Sequence, residues 1–216
     1  MPYRDRRDGP GDDIQSRRSG STALSGSVIC DNVARAHRFE LRDAMELVIR
    51  PVERHDHAST RQVVDDAFRP EDVVTFLDAL RADGCVLREW LAEDSSGPVA
   101  LIAFSRVWVE QPDGDRTKAA ILTPLAVRPD RQRIGIGTRL MEHSLRELEA
   151  DGETLFFVLG HPGYYPRAGF SAASAQGVAS PWSGSRAFMV RGALVPKGRL
   201  VLPTVIAGAH RRTHGS

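Results

Sequence analysis

The sequence predicts a mixed α/β fold with a mostly antiparallel, splayed sheet flanked by helices, and three observations support this. Two helical patterns separate the first strand-like segment from the second. Three further strand-like segments then follow one another through short Gly- and Pro-containing turns, "SSGP" and "QPDGD", which favours antiparallel pairing. Finally, one strand-helix-strand unit over residues 119–160 predicts a single parallel crossover.

The first elements are a strand and two helices. The segment "MELVIRPV" is typical of a strand that ends at Pro51. In "HASTRQVVDDAF" the apolar residues recur at helical spacing. The segment "PEDVVTFLDALRADG" predicts a second helix, because Pro70 and two acids occupy its first turn and Gly84 ends it.

The later elements complete a predicted sheet of seven strands. The segments "CVLREWLAED", "VALIAFSRVWVE" and "KAAILTPLAV" form three of them, and a helix from Gly135 to Ala150 follows. The short apolar segment "TLFFVLG" is typical of a buried central strand. The segment "HPGYYPRAGF" is expected to be a loop with one helical turn, and "AFMVRGALV" and "RLVLPTV" are the last predicted strands.

Composition restricts the class of protein. The chain has 216 residues, 41% hydrophobic and 26% charged, with a formal net charge of +1, which argues against nucleic-acid binding. Cys30 and Cys85 have no CxxC spacing, and His55 and His57 have no partner pattern, so we expect no metal site and no disulfide. Because no apolar run reaches the ~18 residues of a membrane helix and no signal peptide is visible, we expect a cytoplasmic protein without membrane contact.

Residues 1–44 are predicted to be a disordered extension of a domain that spans residues 45–210. The extension is polar and rich in Gly and Ser, so it has little apolar surface to bury. Its arginines are consistent with a solvated tail or with a hook for RNA or a partner protein. A short helix over "VARAHRFELRDAM" is also expected.

The segment "RPDRQRIGIGTRL" joins a predicted strand to a predicted helix through a glycine-rich turn. Helix N-termini carry unpaired N–H groups, and glycines allow an anion to approach the main chain closely, so the turn is a candidate phosphate site. A P-loop is excluded because its lysine is missing, and a dinucleotide fingerprint is excluded because Leu140 stands at its third glycine position. The alternative is a glycine pair that only eases a tight turn.

Two segments in order resemble the GCN5-related N-acetyltransferases. "LAVRPDRQRIGIGTRLM" is similar to the acetyl-CoA-binding segment of that family, with its Q/R-x-x-G-x-G/A motif at Gln132, Gly135 and Gly137. "FFVLGHPGYYPRAGF" is similar to a later family segment, and together the two look most like the bacterial subgroup of predicted acetyltransferases. The chain departs from the pattern at Arg133-Ile134, where Gly-Arg is frequent, and at His161, where the subgroup has Asp.

The resemblance implies the acyl-CoA N-acyltransferase fold and acetyl-CoA as cosubstrate. The pantetheine arm would bond the main chain of Leu125, Ala126 and Val127, and one of those N–H groups would polarise the thioester carbonyl. The pyrophosphate site would comprise Gln132 and the main-chain amides of Arg133, Ile134, Gly135, Ile136, Gly137 and Thr138.

The resemblance also places Tyr165, five residues before Phe170, at the general-acid position of the family. A purely packing role for Tyr165 is the alternative, and Tyr164 is expected to be structural. Glu110 and His161 are two candidates for a general base, although a water chain could replace either. Trp182 is expected to fill the core or to line the acceptor pocket.

Taken together, these features predict an acetyl-CoA-dependent N-acetyltransferase in which an amine attacks the thioester directly. The acceptor would be a small-molecule or peptide amine, and the chain would be a monomer or a homodimer. The alternative is a non-catalytic acyl-CoA-binding or sensor module with the same fold.

Overall fold

A computed structural model describes residues 47–68 and 72–213. The predicted extension over residues 1–44, its arginines, Cys30 and the short helix expected near residues 33–45 lie outside the described residues. The strands are β1 (Val48–Pro51), β2 (Val86–Asp94), β3 (Gly97–Glu110), β4 (Arg116–Val127), β5 (Phe156–Leu159), β6 (Val178–Ala179), β7 (Phe188–Arg191) and β8 (Gly198–Val201). The helices are α1 (His57–Ala67), α2 (Asp72–Ala82), α3 (Ile136–Ala150) and α4 (Thr204–Thr213), with 3-10 turns at Arg54–Asp56, Pro129–Arg131, Tyr165–Ala168 and Ser174–Gly177.

The described strands form one mixed sheet that is mostly antiparallel. Six of them follow the order β1-β2-β3-β4-β5-β7, in which only β4 and β5 are parallel. β2 pairs with β3 as far as Ser105, and β8 takes its place beside β3 from Trp108 onward. β6 pairs with β8 in parallel. The predicted mixed, mostly antiparallel fold class is confirmed.

The end of the chain differs from the expected strand. The prediction of seven strands is one short, because the structure adds β6, whose two residues are too few to show a pattern. The segment "RLVLPTV" is not a single strand: β8 ends at Val201 and α4 begins at Thr204. Pro203 separates them, and its carbonyl accepts the N–H groups of Ile206 and Ala207 at 3.0 Å, which starts the helix.

The helices cover opposite faces of the sheet. On one face, α3 packs Leu140, Met141 and Leu145 against β2–β5, at the i, i+4 spacing of an amphipathic helix. On the other face, α1, α2 and α4 pack against β3 and β4, with Ile121 and Ala126 of β4 pointing toward them. Because successive side chains of a strand point to opposite faces of the sheet, β4 contributes side chains to both layers.

The sheet opens between the parallel strands β4 and β5. Their pairing covers Ala120 with Phe156 and Ile121 with Phe157 and then stops, although β4 continues to Val127. The register of β4 with β3 also shifts between Leu122 and Leu125, where two residues of β4 oppose one of β3. This bulge contains Pro124, which has no N–H to donate. The splay expected at this place is present.

Candidate active site

A cavity of about 1080 Å³ occupies the opening between β4 and β5. It continues from the β4 edge to the N-terminus of α3 on one side, and to α1, α2 and α4 on the other. Of the residues predicted for the site, the cavity lining contains Leu125, Ala126, Val127, Gln132, Arg133, Gly135, Gly137, Thr138 and Tyr165. Two predicted residues do not line it: Ile134 is exposed, and the Ile136 side chain is buried in the core beneath α3. For those two, only a main-chain role is compatible with the structure.

The main chain of β4 directs two residues into the opening. The N–H of Arg128 donates to the carbonyl of Val99 at 2.9 Å, which fixes the hydrogen-bonding phase between β4 and β3. Because bonding alternates along an antiparallel pair, Ala126 bonds β3, whereas Leu125 and Val127 direct their N–H and C=O groups toward the β5 side. The sequence-based prediction treated these three residues alike, and only the register distinguishes them.

Gln132 connects the turn to this strand. Its Nε2 donates to the carbonyl of Val127 at 2.9 Å, so the side chain closes the loop that leads from β4 to α3. This hydrogen bond gives a structural reason for the glutamine of the motif, because it holds the loop against the end of β4. Its amide is committed to Val127 in this arrangement.

The turn itself, residues 131–138, which we call the glycine loop, contains two residues in the left-handed region. Gly135 has φ +93°, as glycine permits, and Arg133 has φ +64°, which is costly for a side-chain-bearing residue. Such strain is concentrated at functional sites, and alternating backbone conformations of this kind direct N–H groups into a concave anion site. Gly135 is also the N-cap of α3 and offers no capping side chain, so the first amides of the helix are available to a ligand.

Glycine is required at position 137 because of a neighbouring side chain, and not because of its backbone conformation. A Cβ at this position would lie 2.9 Å from the Tyr164 hydroxyl oxygen and 3.3 Å from Cγ2 of Val127. Tyr164 therefore packs across the N-terminus of α3, with the Arg167 guanidinium 4.8 Å above its ring. The second motif glycine and the tyrosine thus form one contact between the two predicted segments.

Tyr165 lies in the cavity lining and is held by aromatic packing. Its ring meets Tyr164 and Phe170 edge-on, with centroids 5.1 Å and 5.8 Å away, and covers Gly160, where a Cβ would collide with it. Burial, together with neighbouring Tyr164, raises the pKa of Tyr165 to about 12, so the phenol keeps its proton at neutral pH. No hydrogen bond to its hydroxyl is found in the part of the chain that the structure describes.

The two base candidates lie in different surroundings. Glu110 is outside the cavity lining and pairs with Arg116 at 2.7 Å and with Arg199, which lowers its pKa, so a role as base is not supported. His161 lines the cavity, and its Nδ1 accepts the Gly163 N–H at 3.1 Å. This bond leaves Nε2 of the neutral imidazole as the protonated nitrogen.

Charged side chains in the lining are all basic. They are Arg131, Arg133 and Arg167, besides His161, and no carboxylate lines the cavity among the described residues. Arg131 pairs with Asp94 at 2.9 Å. Burial tends to raise the pKa of Asp94, but hydrogen bonds from Ser96 and Arg131 outweigh it and lower that pKa. An anionic ligand fits this potential.

Seven side chains form an apolar wall on the α1, α2 and α4 side of the cavity: Ala67, Phe68, Val73, Phe76, Trp182, Ile206 and Ala209. Trp182 is both core and lining, since it is 9% exposed and packs at 5.9 Å from Phe188. The sequence did not indicate a site role for the other six. They come from the end of α1, from α2 and from α4, and no local pattern distinguishes them from ordinary core residues.

Within residues 47–68 and 72–213, no group of three or more His, Cys, Asp or Glu residues could hold a metal ion. None of the helices described is long and apolar enough to span a bilayer.

Comparisons with known proteins agree with this geometry. Residues 87–172 match the family model of the acetyltransferase (GNAT) domain. The uncharacterized N-acetyltransferase YjhQ of Escherichia coli (strain K12) is 44% identical over 93 residues, which are 43% of this chain. The chain matches about half, 51%, of the length of that relative.

Two solved structures are similar over most of the described chain. A GNAT family acetyltransferase from Brucella melitensis, in complex with acetyl-CoA, is 29% identical with a TM-score of 0.62, covering 74% of this chain and 97% of its own. YhbS from Escherichia coli, in complex with CoA, has the same fold at 22% identity and a TM-score of 0.67, covering 75% and 92%. Residues 87–172 of the chain, which include the opened β4–β5 pair and the glycine loop, thus resemble the GNAT acetyltransferase domain in sequence and in fold.

Proposed function

We propose that the chain is an acetyl-CoA-dependent N-acetyltransferase that acts on a small-molecule or peptide amine. The observation that carries the proposal is the continuity of the cavity. One space connects the glycine loop, the outward main-chain groups of β4 and the Tyr165 side chain. The similar structure from Brucella melitensis is a complex with acetyl-CoA, which supports this donor.

The residues fit the parts of an acyl-CoA in order. The amides of the glycine loop and of the first turn of α3 would hold the pyrophosphate, aided by the positive end of the helix dipole. The N–H groups of Leu125 and Val127 and the C=O group of Leu125 would bond the pantetheine arm as a neighbouring strand would. One of those N–H groups would also donate to the carbonyl oxygen as negative charge develops there.

Acetyl-CoA supplies the acyl group as a thioester. In the overall reaction the amine nitrogen bonds the acyl carbon, the C–S bond breaks, and the sulfur leaves as a thiol. We assign to Tyr165 the proton that the sulfur receives, and the proton lost by the amine restores the phenol through solvent. The raised pKa keeps the hydroxyl protonated near neutral pH but makes it a weaker acid, so the assignment rests on the position of Tyr165 in the cavity lining.

The experiment that tests the function is release of free CoA thiol in the presence of added amines, with acetyl-CoA as donor. Amine-dependent release, together with recovery of the acetylated amine, is expected. A chain that acetyl-CoA stabilises against heat, but that releases no thiol with any amine, would be the non-catalytic acyl-CoA-binding module instead. A chain that acetyl-CoA does not stabilise would contradict both functions.

A further inference from the structure

The two sides of the cavity differ in the chemistry that they offer. The side next to α3 presents main-chain N–H groups and arginines, whereas the opposite side is the apolar wall. Ile121 and Ala126 of β4 pack in the two apolar clusters on that opposite face, and these clusters also contain residues of the wall. A molecule that reaches the opening from that face is therefore in contact mainly with hydrocarbon and aromatic groups.

From this arrangement we infer that the preferred acceptor is a primary amine on an uncharged aromatic or alkyl body that is large enough to cover the wall, and that it binds as the neutral amine. The inference rests on the proposed function, because it assigns the second substrate of the same site. The observations that carry it are the seven apolar side chains of the wall and a lining without a described carboxylate.

Cationic and strongly polar acceptors fit the wall poorly. An ammonium group that leaves water needs a carboxylate or several hydrogen bonds in exchange, and the apolar side chains of the wall offer neither. A second ammonium on a diamine would meet the same obstacle. Sugar hydroxyls or peptide groups would lose their hydrogen bonds to water against Phe76, Ile206 and Ala209.

The same desolvation helps the chemistry. A low-dielectric surrounding favours the neutral form of an amine, whose lone pair is then available for attack. A strong general base is not required for such an acceptor, which agrees with the position of Glu110 outside the cavity. The rate should accordingly rise with pH and level off when the pH reaches the pKa of the amine in the site.

The test compares 2-phenylethylamine with ethylamine, putrescine and glucosamine, each at saturating acetyl-CoA, by thiol release. We expect kcat/KM for 2-phenylethylamine to exceed that for ethylamine at least about tenfold, because the phenyl ring is buried on the wall. Equal or higher values for ethylamine, putrescine or glucosamine would overturn the inference and leave the proposed function standing. Absence of thiol release with every amine would overturn the proposed function, and the inference with it.

A substitution in the wall makes the test specific to this surface. Ala209→Asp places a carboxylate in the lining, whereas Ala207→Asp changes the same helix at a residue that does not line the cavity. Ala209→Asp should reduce the preference for 2-phenylethylamine over putrescine at least about tenfold, and Ala207→Asp should leave it unchanged. Thermal stabilisation by acetyl-CoA reports whether each variant is folded.

Phe76→Ala provides a second test of the wall if Ala209→Asp fails to fold. It should raise KM for 2-phenylethylamine at least about fivefold, with little effect on KM for acetyl-CoA, because one apolar contact surface is removed from the acceptor side alone. An unchanged amine preference in a folded wall variant would show that the acceptor does not bind against these side chains.

Discussion

The two sides of the cavity are constructed in different ways. In the proposed function the glycine loop binds through the main chain of one short segment, and its Gln132 side chain fixes the backbone through the Val127 carbonyl. The apolar wall uses side chains from α1, α2, α4 and the Trp182 loop, and none of its main-chain groups is needed. A backbone site can therefore be recognised in a short motif and a side-chain wall cannot, because the wall exists only after the elements pack.

The largest expected effect comes from the backbone side. Gly135→Asp should abolish the thermal stabilisation by acetyl-CoA, about 2.7 kcal/mol at a hundredfold excess over Kd, because it places a negative charge at the proposed phosphate site. Gly152→Asp is the matched control. It also replaces a glycine of positive φ with open space around it, but at the opposite end of α3. Both variants should lose intrinsic stability, and only Gly135→Asp should lose the ligand effect, as differential scanning fluorimetry would record.

Tyr165→Phe tests the proposed proton donor, which lies between the two sides of the cavity. Its kcat should fall roughly 10²-fold, with little change in KM for acetyl-CoA, because the ring still packs and only the proton is lost. Tyr164→Phe is the control and should remain within about threefold of the unaltered protein on the same scale. A near-normal kcat in a folded Tyr165→Phe variant would leave Tyr165 a packing role.

Disruption of the contact between the glycine loop and Tyr164 should have an intermediate effect on acetyl-CoA binding. Gly137→Ala should weaken acetyl-CoA binding, because its Cβ would lie 2.9 Å from the Tyr164 hydroxyl. Removing that hydroxyl in the double variant with Tyr164→Phe leaves the nearest tyrosine ring atom at 3.9 Å, an ordinary contact, so part of the affinity should return. Additive losses in the double-mutant cycle, measured as Kd by calorimetry, would show that the two residues do not interact.

The buried phenol predicts a smaller effect on stability at alkaline pH. The pKa of Tyr165 is about 12 in the folded chain and about 10 when unfolded, so the folded state holds this proton more tightly. The resulting stabilisation is present below pH 10 and is lost as the pH rises toward 12. Tyr165→Phe should therefore lose less unfolding free energy between pH 10 and 12 than the unaltered protein in denaturant titrations. An equal loss in both proteins would contradict the burial of this hydroxyl.

The smallest effect is expected from the N-terminal segment. We expect that deletion of residues 1–40 changes neither the thermal midpoint nor the rate of acyl transfer appreciably, because the segment offers few apolar groups to bury. An unfolded or inactive truncated protein would place the domain boundary earlier than residue 45.

Much of the fold could be predicted from the sequence because its signals are local. The spacing of α3, the turns between β2, β3 and β4, and the apolar run of β5 are each contained in one segment. The start of α4 was missed because "RLVLPTV" has a strand-like composition across both elements, and β6 was missed because two residues carry no periodicity.

The sequence by itself determined the glycine loop and the position of Tyr165, since the groups concerned lie within short segments and use the main chain or one conspicuous side chain. Only the tertiary structure decided which β4 amides face the opening, because the hydrogen-bonding phase depends on pairing with β3. It also decided that Gly137 accommodates Tyr164, that Glu110 lies away from the cavity, and that three separate helices contribute to one apolar wall. These are contacts between residues distant in the chain, and a sequence specifies them only through the packing that brings them together.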